Sequence, residues 1–88
     1  MDINREEFEV LWKVEHSWEH NPEQASDNTN ESIKKFQKIF LDLEDKQLLD
    51  IHISHNKIDY AHVTEKGLEV LHESQYRDWS TELKESAH

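Results

Sequence analysis

The residues best suited to chemistry stand together at His16-Ser17-Trp18-Glu19-His20. On a helix, His16 and His20 lie one turn apart and can share a cation, with Glu19 beside them as the base for a bound water. That is the donor order of a metal-dependent hydrolase. Such an enzyme needs a further carboxylate ligand far downstream and a substrate cleft, which 88 residues can hardly supply. Three fixed letters in five also recur by chance in a chain with 7 His and 20 acidic residues. The string therefore reads as a solvated helix end. His16 and His20 remain only a weak metal pair, and no catalytic residue is expected.

A second gathering of imidazoles is His52, His55 and His62. Placed on two paired strands, His52 and His62 face one another closely enough to bind a metal or a proton jointly. The plainer reading is three exposed polar residues on a hairpin. The chain has no cysteine, which excludes disulfides and thiolate metal sites, and its single glycine excludes a phosphate-cradling nucleotide loop. No cofactor follows from the sequence, and an enzyme is not expected.

The remaining chemistry is electrostatic. Formal net charge is -10, yet between Thr29 and Leu41 three lysines meet one acid, Glu31, so that stretch is +2. Ser32, Lys34, Lys35, Gln37 and Lys38 would lie on the exposed face of a helix there, with His55 and Lys57 at a hairpin tip. These seven are the candidates for contact with nucleic acid. Four lysines without an arginine are few against the ~6–10 phosphate contacts of a typical regulator, so any binding would be weak and salt-sensitive.

What must position these residues is one domain, 1–88, with a core at about 4–73 and a helical extension or frayed tail at 74–88. Hydrophobic and charged residues each make up 34% of the chain, and the apolar ones recur with clear periods. Arg5 to about His20 reads as a helix capped by Asn4, with Phe8, Leu11, Trp12 and Glu15 on one face and Val14 and Trp18 beside it. Asn21-Pro22-Glu23-Gln24 reads as a cap, a first-turn proline and a capping-box glutamine, hence one short helix. Asn28 and Glu31 predict a capping box for a third helix, Thr29 to about Gln47, with Ile33, Phe36, Ile39, Phe40 and Leu43 as its stripe.

Asp50 to Ser54 then alternates, with Ile51 and Ile53 on one side. His55-Asn56 suits a two-residue turn, and Lys57 to Val63 is the return strand. Thr64 caps a last helix, in whose first turn Gly67 implies close backbone packing. Leu68, Leu71, Gln75, Trp79 and Leu83 continue its stripe, unless Ser74 or Ser80 interrupts it. The N-terminus lacks a signal-peptide pattern, and no run approaches the ~18 apolar residues of a membrane span, so no membrane association and a cytoplasmic location are expected.

The order helix, short helix, longer helix, two-stranded hairpin, helix resembles a winged helix-turn-helix domain. The stretch Phe36 to Leu71, "FQKIFLDLEDKQLLDIHISHNKIDYAHVTEKGLEVL", is similar to the recognition helix, wing and following helix of MarR-like and PadR-like regulators. Phe40, Leu43, Leu48, Leu49, Tyr60, Val63 to Gly67 and Leu71 carry the likeness, which covers residues 29–72 best. Small bacterial YjcQ-like proteins share the element order. Two departures stand out: Gln47 replaces the usual glycine before the first wing strand, and the stretch 21–28 is short and polar.

The resemblance implies an α+β, mostly helical winged helix-turn-helix fold, with three N-terminal helices, an antiparallel wing and a C-terminal helix. It also implies a small transcription regulator that binds double-stranded DNA weakly through the third helix and the wing. In such regulators the last helix often forms a homodimer interface, here Tyr76, Trp79 and Leu83; the other expectation is that it folds back onto Trp12 and Trp18. The second class of function is an acidic interaction module of the same fold, which meets a basic protein partner or mimics DNA. The two classes separate on charge distribution. A lysine face free of carboxylates favours DNA, and lysines interleaved by Glu31 and Asp42 favour a protein partner.

Overall fold

In the computed structural model, which describes residues 2–17 and 19–86, the fold begins with a reciprocal cap. The Asn4 side chain accepts from the Glu7 N–H at 2.8 Å, and the Glu7 carboxylate accepts from the Asn4 N–H at 3.0 Å. Two otherwise orphaned donors are thereby satisfied. Helix α1, Arg5–His16, buries Phe8, Val10, Leu11, Trp12 and Val14. It ends at His16 and does not reach His20. Ser17 is extended (φ −135°, ψ −168°), and its hydroxyl donates to the Lys13 carbonyl at 2.7 Å. Pro22 then disfavours a helical backbone at Asn21, so the chain must leave the helix before it. Trp18, expected beside this helix, lies outside the described residues.

Helix α2, Pro22–Ala25, is the expected single turn. The Asn21 side chain accepts from the Gln24 N–H at 2.9 Å, while the Gln24 side chain accepts from His20 and not from the cap residue. Helix α3 spans Asn30–Asp45, and its cap is Thr29, one residue later than the expected Asn28. Asn28 instead takes a left-handed backbone, φ 68°, in the connection. At the far end Gln47 is left-handed too, φ 66°, as the Leu48 N–H reaches back to the Leu43 carbonyl at 2.9 Å. Gln47 thus occupies a conformation that glycine adopts more cheaply.

Strands β1, Leu49–Ser54, and β2, Lys57–Val63, form one antiparallel hairpin. His55 and Asn56 both have positive φ, 53° and 63°, the signature of a type I′ turn whose twist suits the strands. Leu49 pairs with Val63, Ile51 with Ala61 and Ile53 with Ile58, with an irregularity between His52 and Ile53. Thr64 joins hairpin to body: its hydroxyl donates to the Gln47 carbonyl at 2.7 Å and accepts from the Gly67 N–H at 3.0 Å. It caps helix α4, Glu65–Leu71. A Cβ on Gly67 would collide with the Leu48 carbonyl oxygen and Val63 Cγ1, so only glycine permits this approach.

The last stripe is not one helix. α4 ends at Leu71, and a 3-10 turn, Ser74–Tyr76, leads into α5, Arg77–Ser86. Phe8, Leu11, Phe40, Leu43 and Leu48 are fully buried at the centre, where α1, α3 and the hairpin base meet. The core also runs past its expected limits at both ends, because Ile3, Tyr76 and Leu83 are buried. Among the described residues the fold is α+β and mostly helical: five α-helices around one two-stranded antiparallel sheet. No helix among them is long and apolar enough to cross a membrane.

Candidate interaction face on α3 and the hairpin

The lysines of α3 share their surface with acids. Lys35 Nζ lies 2.7 Å from Glu6 of α1, and Lys38 Nζ lies 3.0 Å from Asp42 one turn on. Lys57, next to the turn, reaches Glu23 of α2 at 3.4 Å. Lys34, Lys35 and Lys38 line one depression with Glu6, Glu31 and Asp42. The seven expected nucleic-acid contacts therefore form no carboxylate-free face. Ser32 turns back toward the loop before α3, where its hydroxyl accepts from the Asp27 N–H at 3.3 Å. In that loop the Asp27 carboxylate accepts from the Thr29 N–H at 3.1 Å and the Thr29 hydroxyl at 2.8 Å, which holds its pKa below the ordinary aspartate range. Gln37 and Lys57 do come together, across a separate groove. His55 lies in the turn itself.

That groove lies between α3 and the hairpin tip. Gln37, Leu41, Ile53, Asn56, Lys57 and Ile58 enclose about 210 Å³. Ile58 is buried, but Leu41 is 45% exposed and Ile53 63%. Ile53 belongs to the inward side of the sheet, yet the hairpin tip extends past the body and leaves it uncovered. The sequence pattern placed Ile53 with Ile51 on one side of the strand without showing that its end is uncovered, and it did not single out Leu41. The available signal was that Leu41 lies off the Ile33, Phe36, Phe40, Leu43 stripe.

His52, His55 and His62 are exposed on the hairpin, as the plainer reading expects, and His16 is exposed at the end of α1. His16 packs on Trp12, with ring centroids 4.6 Å apart, and His20 stacks on Tyr60 at 5.0 Å. The helix ends at His16, so the two no longer share a helix face, although with Glu15 and Ser17 they line one shallow depression. On the outer side of the hairpin His62 faces Asp50, Nε2 to Oδ2 3.3 Å, and His52 faces Tyr60. His52 and His62 are diagonal neighbours, 6.0 Å between centroids, and do not stand directly across from one another. Among the described residues no three His, Asp or Glu side chains are grouped to hold a metal ion.

The proposed dimer residues point inward. Tyr76 and Leu83 are buried, and Trp79 packs against the core. Phe8 meets Tyr76 at 5.2 Å and Trp79 at 5.6 Å, so α1 already covers the apolar side of α5. Folding back buries Tyr76 and Leu83 against α1 and so enlarges the thin core that an 88-residue chain can build. Of the two expected acceptors, Trp12 lines a cleft with Leu83, and Trp18 is outside the described residues.

Fold and site together define an α+β domain with a mixed-charge helix face beside an open apolar groove. Comparison with protein-family models, with curated proteins and with solved structures found no match.

Proposed function

We propose that this chain is a winged-helix-type domain serving as an acidic protein-interaction module, and not as a reader of DNA. The order of three helices, hairpin and helix supports the winged-helix part of the reading. One observation carries the functional part: Lys35, Lys38 and Lys57, three of the four lysines meant for phosphate, each lie within ion-pair distance of a carboxylate. Such exposed pairs are individually weak, worth at most about 1 kcal/mol, and can open. The carboxylates of Glu6, Glu23 and Asp42 nevertheless stay within about 10 Å of any phosphate docked there, inside the Debye length at ~0.1 M salt. Against the ~6–10 contacts that a DNA reader needs, this face offers little net attraction.

A basic partner finds more. Asp78, Glu82 and Glu85 on α5 and Glu65 and Glu69 on α4 are exposed, and the total charge of -10 favours rapid, salt-dependent encounter with a cationic surface. The test is a pair of amide NMR titrations at about 50 mM salt, one with a mixed DNA duplex and one with a peptide rich in lysine and arginine. The expected result is peptide-induced shifts on α4 and α5, and no duplex-induced shift in Thr29–Leu41 or His55–Lys57. Duplex-induced shifts confined to those two segments, fading at about 200 mM salt, would overturn the proposal in favour of DNA binding.

A further inference from the structure

We infer that the open groove beside α3 is a self-association site, in which α3 packs antiparallel against α3 of a second copy with Leu41 near the two-fold axis. Leu41 and Ile53 are large apolar side chains exposed at 45% and 63%, and they wall one groove over the buried Ile58. An uncovered apolar pair at the edge of the core is the kind of surface a protein partner covers.

The charge order along α3 selects a second copy as that partner. Lys34, Gln37, Lys38, Leu41, Glu44 and Asp45 fall within about 60° of one line along the helix. The two lysines precede Leu41 and the two acids follow it. Turned antiparallel about Leu41, each copy brings Lys34 and Lys38 to Glu44 and Asp45 of the other. A parallel arrangement would set like charges together. The stripe is thus complementary to itself under two-fold symmetry, as an isologous interface requires. Among the described residues, Lys34, Glu44 and Asp45 have no ion-pair partner within the protomer, and Lys38 gives up only an exposed i,i+4 contact with Asp42.

Two copies carry -20, so long-range repulsion opposes the dimer at low salt. Salt near 0.1–0.2 M screens that repulsion while leaving the apolar contact intact, so association should strengthen from low to moderate salt. DNA binding would show the opposite salt dependence. The groove is small, and a contact below about 1,200 Å² predicts a weak, reversible dimer. This inference goes beyond the proposed function and does not depend on it, since the basic-peptide titration reads α4 and α5.

Sedimentation equilibrium from about 10 µM to about 1 mM, in ~0.15 M salt, tests it. The intact chain should associate, and Ile53→Glu should remain monomeric with its amide spectrum otherwise preserved. Charge swaps then identify the occupant. K34E/K38E and E44K/D45K should each weaken association by at least about tenfold, and the fourfold swap should restore it. E44K/D45K is decisive, because it moves the net charge from -10 to -6. General repulsion predicts that this variant associates more tightly, whereas the antiparallel pairing predicts the reverse. A monomer at every concentration and salt overturns the inference, as does tighter association of E44K/D45K or an undiminished dimer in Ile53→Glu.

Discussion

The phenol oxygen of Tyr76 accepts a hydrogen bond from the backbone N–H of Ile3 at 2.9 Å, joining residues 73 apart in sequence. This contact is buried, and the ring beneath it packs on Phe8 and stacks with Trp79 at 5.2 Å. The segment before α1 and the turn before α5 are therefore held by one side chain, which serves as both core residue and hydrogen-bond acceptor. The C-terminal helix is part of the domain's core for this reason.

Tyr76→Phe keeps the ring and removes the acceptor, leaving the Ile3 N–H unsatisfied. The expected loss is about 1–3 kcal/mol in a urea unfolding experiment, with a lower midpoint and an unchanged slope. A midpoint equal to that of the parent would mean that water replaces the phenol and that the contact is not sealed.

Gly67→Ala places a methyl group against the Leu48 carbonyl and Val63. In an exposed helix the change would stabilise by nearly 1 kcal/mol, through helix propensity. Here overpacking should win, with a net destabilisation of about 1–3 kcal/mol and a lower thermal midpoint. A raised midpoint would show that α4 can move away from the hairpin base without cost.

Gln47→Gly makes the opposite point. Gln47 holds φ 66° just past the end of α3, and its engaged groups are both backbone: its N–H donates to the Glu44 carbonyl at 2.8 Å and its carbonyl accepts from the Thr64 hydroxyl. Glycine relieves the left-handed strain, worth roughly 1 kcal/mol, against some gain in unfolded-state entropy. The expected outcome is an increase in stability of up to about 1 kcal/mol. A loss would place the strain elsewhere in the connection.

Asp27 makes a pH prediction with a definite sign. Its two bonds from Thr29 favour the ionised form, so its folded pKa lies below the unfolded one. Its contribution is present above the unfolded aspartate pKa and is lost as pH falls through the lower folded value. Carboxyl NMR should show Asp27 titrating below the ordinary aspartate value. In Asp27→Asn, the acid-side loss of order in the loop before α3 should disappear. An Asp27 titration at the ordinary aspartate value would contradict the assignment.

Much of the fold was legible because its signals are local. Asn4, Asn21 and Thr64 cap helices through donors within three residues of themselves, and His55-Asn56 closes a turn with its own backbone. The one-residue error at Thr29 arose because Asn28 and Thr29 are both good caps, and the backbone at Asn28 was already committed to a left-handed turn. The helical spacing of His16 and His20 lost its meaning for a similar reason. Spacing implies a shared face only while the helix continues, and Ser17 and Pro22 end it.

By itself, then, the amino-acid sequence determined the elements as far as α4, their boundaries to within a few residues, and the need for close packing at Gly67. Each of these depends on interactions between near neighbours in the chain or on the period of apolar side chains. The division of the last stripe into α4, a 3-10 turn and α5 was left open. Only the tertiary structure decided what the surfaces are. Glu6 and Glu23 reach Lys35 and Lys57 from other helices, Tyr76 and Trp79 turn onto Phe8, and Ile53 is left beyond the edge of the body. Those outcomes rest on side chains about thirty or more residues apart, or on where the packed body ends. No local spacing encodes either, because they follow from how the finished elements dock.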